Sequence, residues 1–287
     1  MLNWLARLSR RHKGEPTSRT GGTLEVEPAT NKVGGNSCDP DQISAIIAAI
    51  KAAKEIVVFT GAGVSAESGI PTFRDGATGL WNKVNPEEVA SIRALEANPG
   101  RIWDWHANLK RIIDERKPNP GHVAIVEFSR LLADKRFTLI TQNIDGYHQQ
   151  AGSDRVFELH GSIHRLRCHR HCSHYELWQD STTHPENCPS CGALIRPDVV
   201  LFGEPLNEDL LSFAEAAARN ADVFFSVGTS SSVQPASGLP VMAKLVGALV
   251  VEVNLHETAF SEHADYSIRS SAGEFFPELL AQYLKRS

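Results

Sequence analysis

Five short runs of β-branched and aromatic residues punctuate the chain: Glu55–Phe59, Phe137–Thr141, Val156–Leu159, Val223–Val227 and Leu249–Val253. Helix-length stretches separate them. Before the first lie Asp39 and Asp41, either able to cap a helix, then Ile43, Ile46, Ile47 and Ile50 at helical spacing. Strands that are apolar on both faces and alternate with helices build a parallel sheet covered on both sides. The expected fold is therefore α/β, a doubly wound, Rossmann-like parallel sheet. Such a sheet also limits where chemistry can sit, because its ligands bind at the carboxyl ends of the strands. Small or polar residues stand at those ends: Gly61-Ala62-Gly63, Gln142-Asn143-Ile144-Asp145, His160-Gly161, Gly228-Thr229-Ser230 and Asn254.

Two inserts interrupt the alternation. Residues 76–118 are Trp-rich and helical in period, with Ile102, Trp105, Leu109, Ile112 and Ile113 recurring. Residues 162–198 carry four of the five cysteines, as the pairs Cys168/Cys172 and Cys188/Cys191 with fifteen residues between them. Close pairs in an otherwise Cys-poor chain of 287 residues read as a zinc site in a reducing compartment rather than as disulfides. Four thiolates fill a tetrahedral shell, so the zinc is expected to be structural. His164, His169, His171, His174 and His184 are expected as exposed residues around it, and Cys38 as an inert thiol. One domain over 41–287 is expected to hold both inserts. Residues 1–40 read as a disordered tail. The alternative is a targeting or membrane-surface helix, since Leu2, Leu5 and Leu8 fall at helical spacing beside Arg7, Arg10, Arg11 and Lys13.

The net charge of −5 does not suit a phosphate backbone, so no nucleic-acid partner is expected. Arg165, Arg167 and Arg170 nonetheless make a local basic edge, read as a solvated face or a contact for an acidic protein. No apolar run reaches the length needed to cross a bilayer, so no membrane span is expected. The expected location is cytoplasmic, with organellar targeting by the basic N-terminus as the alternative.

Taken singly, the motifs each have a plainer reading. Gly61-Ala62-Gly63-Val64-Ser65-Ala66 lets backbone approach a pyrophosphate at a helix N-terminus, or merely makes a tight strand-to-helix turn. The acidic ribose-binding residue of the usual dinucleotide fingerprint is missing; Gly79-Leu80-Trp81 stands there, which argues against an ordinary NAD dehydrogenase. Phe73 and Arg74 follow in a Gly/Pro loop, where Arg74 can clamp a phosphate or pair with Asp75 or Glu67. Gln142, Asn143 and Asp145 can hold an amide or ribose hydroxyls, or cap a helix. His160 beside Gly161 can be a general base or an ordinary histidine.

In this order, the motifs resemble the sirtuins, the NAD-dependent protein-lysine deacylases. The resemblance runs from about Ile43 to Leu284. It rests on Gly61 through Asp75, Thr141–Asp145, Leu159-His160-Gly161, the four cysteines, Val200–Glu204, Gly228–Ser231 and Val253-Asn254. It implies that NAD is consumed while an acyl group leaves a substrate lysine, giving nicotinamide and 2′-O-acyl-ADP-ribose. By resemblance His160 is the general base, and Asn143 holds the ribose and a water. Asp145 and the Ile144 backbone hold the carboxamide, with Gln142 in the same cofactor-binding stretch. Phe73 covers the ribose, while Arg74 and the Gly61-Ala62-Gly63 turn face the phosphates. Gly228, Thr229, Ser230 and Asn254 contact the adenosine half, with Ala272 near adenine although Ser270-Ser271 replace a common Gly-Pro. Val200, Leu201, Phe202 and Gly203 would pair with the substrate peptide as an added strand.

The branch of the family that removes succinyl and malonyl groups carries a Tyr-x-x-Arg pair in the first insert. His106 and Leu109 fall on those positions here, so an apolar pocket for acetyl or longer aliphatic acyl groups is expected; Lys110, one position on, keeps an acidic acyl group open. Acyl-lysine proteins are the expected partners. The alternative chemistry on the same site is mono-ADP-ribosyl transfer or NAD glycohydrolysis.

Overall fold

Asp39 caps the first helix, accepting the N–H of Asp41 at 3.0 Å, with Pro40 at the first helical position. The computed structural model of the protein describes residues 39–70, 85–172, 175–179 and 187–286. Expectations for Cys38, Phe73, Arg74, His174, His184 and most of the 1–40 tail fall outside these residues.

In chain order the strands are β1 (Glu55–Thr60), β2 (Arg136–Thr141), β3 (Val156–Glu158), β4 (Gly161–Cys168), β5 (Tyr175–Leu177), β6 (Ile195–Val199), β7 (Val223–Val227), β8 (Leu249–Val253) and β9 (Tyr266–Ile268). The α-helices are α1 (Pro40–Ala52), α2 (Ala62–Ala66), α3 (Pro86–Val89), α4 (Ile92–Ala97), α5 (Pro99–Asp114), α6 (Pro120–Leu131), α7 (Tyr147–Ala151), α8 (Glu208–Asn220), α9 (Leu239–Leu245) and α10 (Ala272–Lys285). One parallel sheet runs β3-β2-β1-β7-β8-β9. Each of the five apolar runs supplies one of its strands. The sixth, β9, has three residues with a serine at its centre, too short and too polar to stand out as a strand.

Successive side chains of a strand point to opposite faces, and two cores result. Val58 and Phe225 pack with Ile46 and Ile50 of α1, Phe128 of α6 and Phe275 of α10. Val57, Phe59 and Phe224 pack on the other face with Ala214 and Ala218 of α8 and Leu239 of α9. Helices therefore cover both faces, as the apolar strands require.

The chain leaves β1 through β2 and β3, then returns to β7 on the other side of β1. The carboxyl ends of β1 and β7 thus form the topological switch point, where an open α/β sheet has its crevice. A second, antiparallel sheet in the order β5-β4-β6 carries the cysteines. Charged and apolar residues mix along β4 and β6, and Pro197 sits within β6, so this sheet was not legible as strands.

Among the described residues three histidines are buried: His106 on α5, His122 on α6 and His148 on α7. His148 Nε2 lies 2.9 Å from Thr60 Oγ1, which also donates to Thr141 Oγ1 at 2.8 Å. Burial holds His106 and His122 down to about 4, and His148 well below its ordinary value. Between those values and the unfolded 6.5, the unfolded chain binds more protons, so stability rises with pH across that window. Acidifying from pH 7 to 4 is expected to cost roughly 3 kcal/mol for each of His106 and His122. Asp145, which burial pushes up, opposes this trend and softens the slope. Urea midpoints measured from pH 7 to 4 should fall steadily; a flat profile down to pH 4 would contradict the assignment.

Candidate active site

The loops at the switch point are tied to one another. Gly61 N–H donates to Val227 O at 2.9 Å, and Gly63 N–H to Gly228 O at 2.7 Å. A Cβ on Gly63 would lie 2.7 Å from the Gly228 Cα, so only glycine permits this contact. The two glycines thus bring the β1 and β7 loops together, a use beyond the room for a pyrophosphate expected from sequence. Asn143 Nδ2 donates to Gly61 O at 2.9 Å, Gln142 Nε2 to Thr229 Oγ1 at 2.9 Å, and Asn254 Nδ2 to Thr229 O at 2.9 Å. Residues from the ends of β1, β2, β7 and β8 therefore line one crevice. Ser230 and Ser232 share a hydrogen bond between their hydroxyls at 2.7 Å. Ser231, held at φ 53°, has a buried Oγ with no hydrogen-bond partner among the described residues. An orphaned hydroxyl in this loop suits a polar ligand that completes it; Ser231 lies in the Gly228–Ser231 motif read from sequence but was given no binding role there. Ala272 sits at the start of α10 with its methyl in the first core, so only its backbone could reach a ligand.

His160 lies two residues past the end of β3, and its Nδ1 lies 2.9 Å from Gln142 O. A carbonyl only accepts, so Nδ1 carries the proton and Nε2 keeps its lone pair. Burial lowers the His160 pKa, partly offset by this hydrogen bond, which favours the neutral imidazole. Asp145 is buried, and β4 approaches the residue before it, where Ile163 N–H donates to Ile144 O at 2.9 Å. Its carboxyl accepts from Ser65 Oγ at 2.5 Å and from Tyr147 N–H at 3.0 Å, while burial pushes its pKa up. The arrangement gives a neutral base and buried polar groups beside the loops that tie β1, β2 and β7 together.

Leu109 on α5 is buried with Ile70, Ile113, Tyr147 and Ile163, and Ile144 packs against that cluster. This apolar wall adjoins the Gln142–Asp145 loop. His106 is also buried, its Nδ1 2.8 Å from the carbonyl of Ile102, with the charge of Arg196 nearby. Lys110 is buried and pairs with Asp114 at 2.7 Å.

The four cysteine sulfurs lie within 4.8 Å of one another. Cys168 and Cys191 are 3.4 Å apart at Sγ, Cys172 and Cys188 3.2 Å. These separations exceed a disulfide bond of about 2.05 Å and approach the sulfur–sulfur edge of about 3.8 Å in a tetrahedron with 2.3 Å zinc–sulfur bonds. The donor set therefore fits zinc, with all four positions filled by protein. Of the histidines expected to be exposed around it, His171 is exposed, whereas His169 and His164 are half-buried, His164 with Nε2 2.8 Å from Asp145 O. Of the basic edge, Arg170 is exposed but Arg165 and Arg167 are not a free surface. Arg165 pairs with Glu158 at 2.8 Å and Asp198 at 2.9 Å, and Arg167 is buried against Glu204 and Asp198.

Backbone around Val200–Gly203 is already partly paired. Val200 N–H donates to His160 O at 3.0 Å, Leu201 N–H to Glu204 Oε2 at 3.1 Å, and Phe202 N–H to Ala90 O at 2.7 Å. Phe202 also accepts from Ile92 N–H at 3.0 Å, in a parallel bridge at Ser91. Gly203 is exposed, with open space at its Cα.

Comparison with known proteins agrees with this geometry. The Sir2 family profile matches residues 61–235. The NAD-dependent protein deacylase 1 of Caldanaerobacter subterraneus subsp. tengcongensis is 47% identical over 221 residues, covering 76% of this chain and 90% of that protein. A Sir2 homolog–NAD complex superposes with a TM-score of 0.78 at 42% identity, covering 85% of this chain and 94% of that one. A Sir2 homologue mutant in complex with 2′-O-acetyl ADP ribose gives 0.78 at 41% identity, covering 87% and 98%. Sir2Af2 bound to a myristoylated histone peptide gives 0.69 at 36% identity, covering 86% and 98%. A profile spanning more than half of the chain, and a relative aligned over nine-tenths of its own length, lead to one conclusion: this chain belongs to the Sir2 family.

Proposed function

We propose that the protein is an NAD-dependent protein-lysine deacylase that releases nicotinamide and 2′-O-acyl-ADP-ribose, with His160 as its general base. The observation that carries this reading is the His160 side chain. Its Nδ1–H is committed to Gln142 O, and burial keeps the ring neutral, so Nε2 is ready to take a proton at the carboxyl edge of the sheet. A relative bearing the deacylase name at 47% identity supports the same reading.

Bound NAD would supply a ribose carbon that loses nicotinamide and takes the acyl oxygen, and a ribose 2′-hydroxyl to which the acyl group passes. The residues of this chain do the rest. Nε2 of His160 removes a proton from a ribose hydroxyl. Asn143, fixed by Gly61 O and by its own N–H to Thr141 Oγ1 at 3.0 Å, holds the ribose in position. The Asp145 carboxylate and the Ile144 backbone orient the carboxamide, with Gln142 beside them. The Gly61-Ala62-Gly63 turn and Arg74 meet the phosphates, and Phe73 shields the ribose from water. Gly228, Thr229, Ser230 and Asn254 meet the adenosine half, with the Ala272 backbone near adenine. The four cysteines hold a structural zinc. In this reading the catalytic domain spans 41–287, with the helical insert at 76–118 and the zinc-binding module at 162–198.

The substrate is an acyl-lysine protein. Because Val200, Leu201, Phe202 and Glu204 already donate within the chain and Pro205 has no N–H, pairing of an added peptide strand falls mainly to Gly203. Zinc-ready thiols support a reducing compartment, the cytoplasm. No helix among the described residues is long and apolar enough to cross a membrane.

The test is whether nicotinamide release requires acyl-lysine peptide. One nicotinamide per acyl group removed supports deacylation. Release from NAD alone, or transfer of ADP-ribose to protein, would move the activity to the glycohydrolase or transferase class.

Leu109 and His106 set acyl choice in this reading. The apolar wall around Leu109 favours acetyl and longer aliphatic groups over succinyl. Leu109→Arg is expected to raise desuccinylation relative to deacetylation by about ten-fold or more, the effect of one carboxylate-pairing arginine. An unchanged ratio in a folded variant would remove Leu109 from the pocket.

A further inference from the structure

Charged side chains are rarely buried, because desolvating each ion costs several kcal/mol unless it is paired. Three are buried together behind Val200–Gly203. The side chains of Arg196, Arg167 and Glu204 are 2%, 5% and 8% exposed. Both guanidinium groups donate to the same oxygen, Oε1 of Glu204. The other oxygen, Oε2, accepts the N–H of Leu201 at 3.1 Å. Arg196 Nη1 donates in turn to Val199 O at 2.8 Å. The cluster therefore grips the backbone on both sides of Val200, whose own N–H is bonded to His160 O.

The contacts extend in two further directions. Arg167 lies next to Cys168, and its Nε is 3.3 Å from Asp198 Oδ1. Arg165 joins Asp198 to Glu158, two residues before His160. One set of ion pairs thus links the cysteine module, the segment proposed to meet peptide, and the backbone of His160.

Apolar residues of similar volume would fill such a site at lower desolvation cost. What they could not do is bond to Val199 O and Leu201 N–H with fixed direction. The geometry points to Arg167–Glu204–Arg196 as a positioning cluster that sets Val200–Gly203 against His160 for the acyl-lysine peptide. This rests on the deacylase reading given above.

Glu204→Gln keeps the size of the side chain and one acceptor but leaves two buried guanidinium groups without their shared carboxylate. Arg196→Lys keeps the charge but cannot reach both Glu204 and Val199 O, and it carries the test if Glu204→Gln does not fold. Two readouts apply to each variant. In steady-state kinetics with NAD and an acetyl-lysine peptide, KM for peptide is expected to rise about ten-fold or more, with KM for NAD within about two-fold. In amide hydrogen exchange, Val200, Leu201 and Phe202 are expected to exchange at least about ten-fold faster, while Val58 and Phe225 in the main sheet do not change. A variant that melts earlier with both KM values and these amides unchanged would overturn the proposal, as would an equal rise in both KM values. If wild type consumes no acyl-lysine peptide, the deacylase reading fails, and the exchange readout still decides whether the cluster orders this segment.

Discussion

His160→Ala is expected to lower the rate of acyl transfer to ADP-ribose by about 10²–10⁴-fold, the usual contribution of a positioned general base. The loss should fall on kcat more than on either KM, since proton removal belongs to the transition state. The variant leaves a cavity at the edge of the crevice without touching the glycine contact between the β1 and β7 loops, so NAD binding should persist. The pH profile adds a second signature. Burial lowers the His160 pKa, so the base is neutral, and active, from high pH down to below the ordinary histidine value near 6.5. Wild-type activity is expected to fall only as pH drops through that lowered pKa, and the residual activity of His160→Ala should lack that limb. A variant retaining near-wild-type rate would remove His160 from the chemistry.

Gly161→Ala should be nearly as damaging without altering any reacting group. Gly161 has φ 77°, and a Cβ there would stand 2.0 Å from the carbonyl oxygen of Asp198. Neither backbone can yield easily, because Gly161 pairs with Val199 where β4 meets β6. A left-handed conformation costs a non-glycine residue about 1–2 kcal/mol, and overpacking adds about 1–3, so the combined loss is roughly 2–5 kcal/mol. Relief of the clash must move His160, Gly161 or the β6 end, so activity is expected to fall further than stability alone explains. Gly247→Ala is the control: its φ is 94°, yet nothing lies within 4 Å of the added methyl, so only the conformational cost of about 1–2 kcal/mol applies. Urea midpoints and peptide turnover for both variants check this. Equal effects at the two positions would contradict the steric account.

The sheet was readable in the sequence because its strands are buried on both faces, which leaves near-continuous apolar runs such as Val223–Val227, broken only by Ser226. The same runs point to their own carboxyl ends, so Gly61, Gln142–Asp145, His160, Gly228 and Asn254 could be grouped before any coordinates. The cysteine pairs were legible because metal-ligand spacing is local in sequence. What was hidden depends on non-local pairing. Arg165 and Arg167 looked like a basic edge because Asp198 and Glu204 lie more than thirty residues away, and only folding brings them together. The Gly61–Gly63 turn read as room for a phosphate, while its contact with Gly228 required knowing that β1 and β7 are neighbours. His164 read as an exposed residue near the metal, but the fold brings its Nε2 against the Asp145 carbonyl.

The most direct test of the central claim is mass spectrometry of the products formed from NAD and an isotopically labelled acetyl-lysine peptide. The account predicts that the label leaves the peptide and appears on ADP-ribose as the 2′-O-acetyl ester, in equal amount to nicotinamide. Label released as free acetate while NAD stays intact, or nicotinamide formed with the peptide still acetylated, would contradict it.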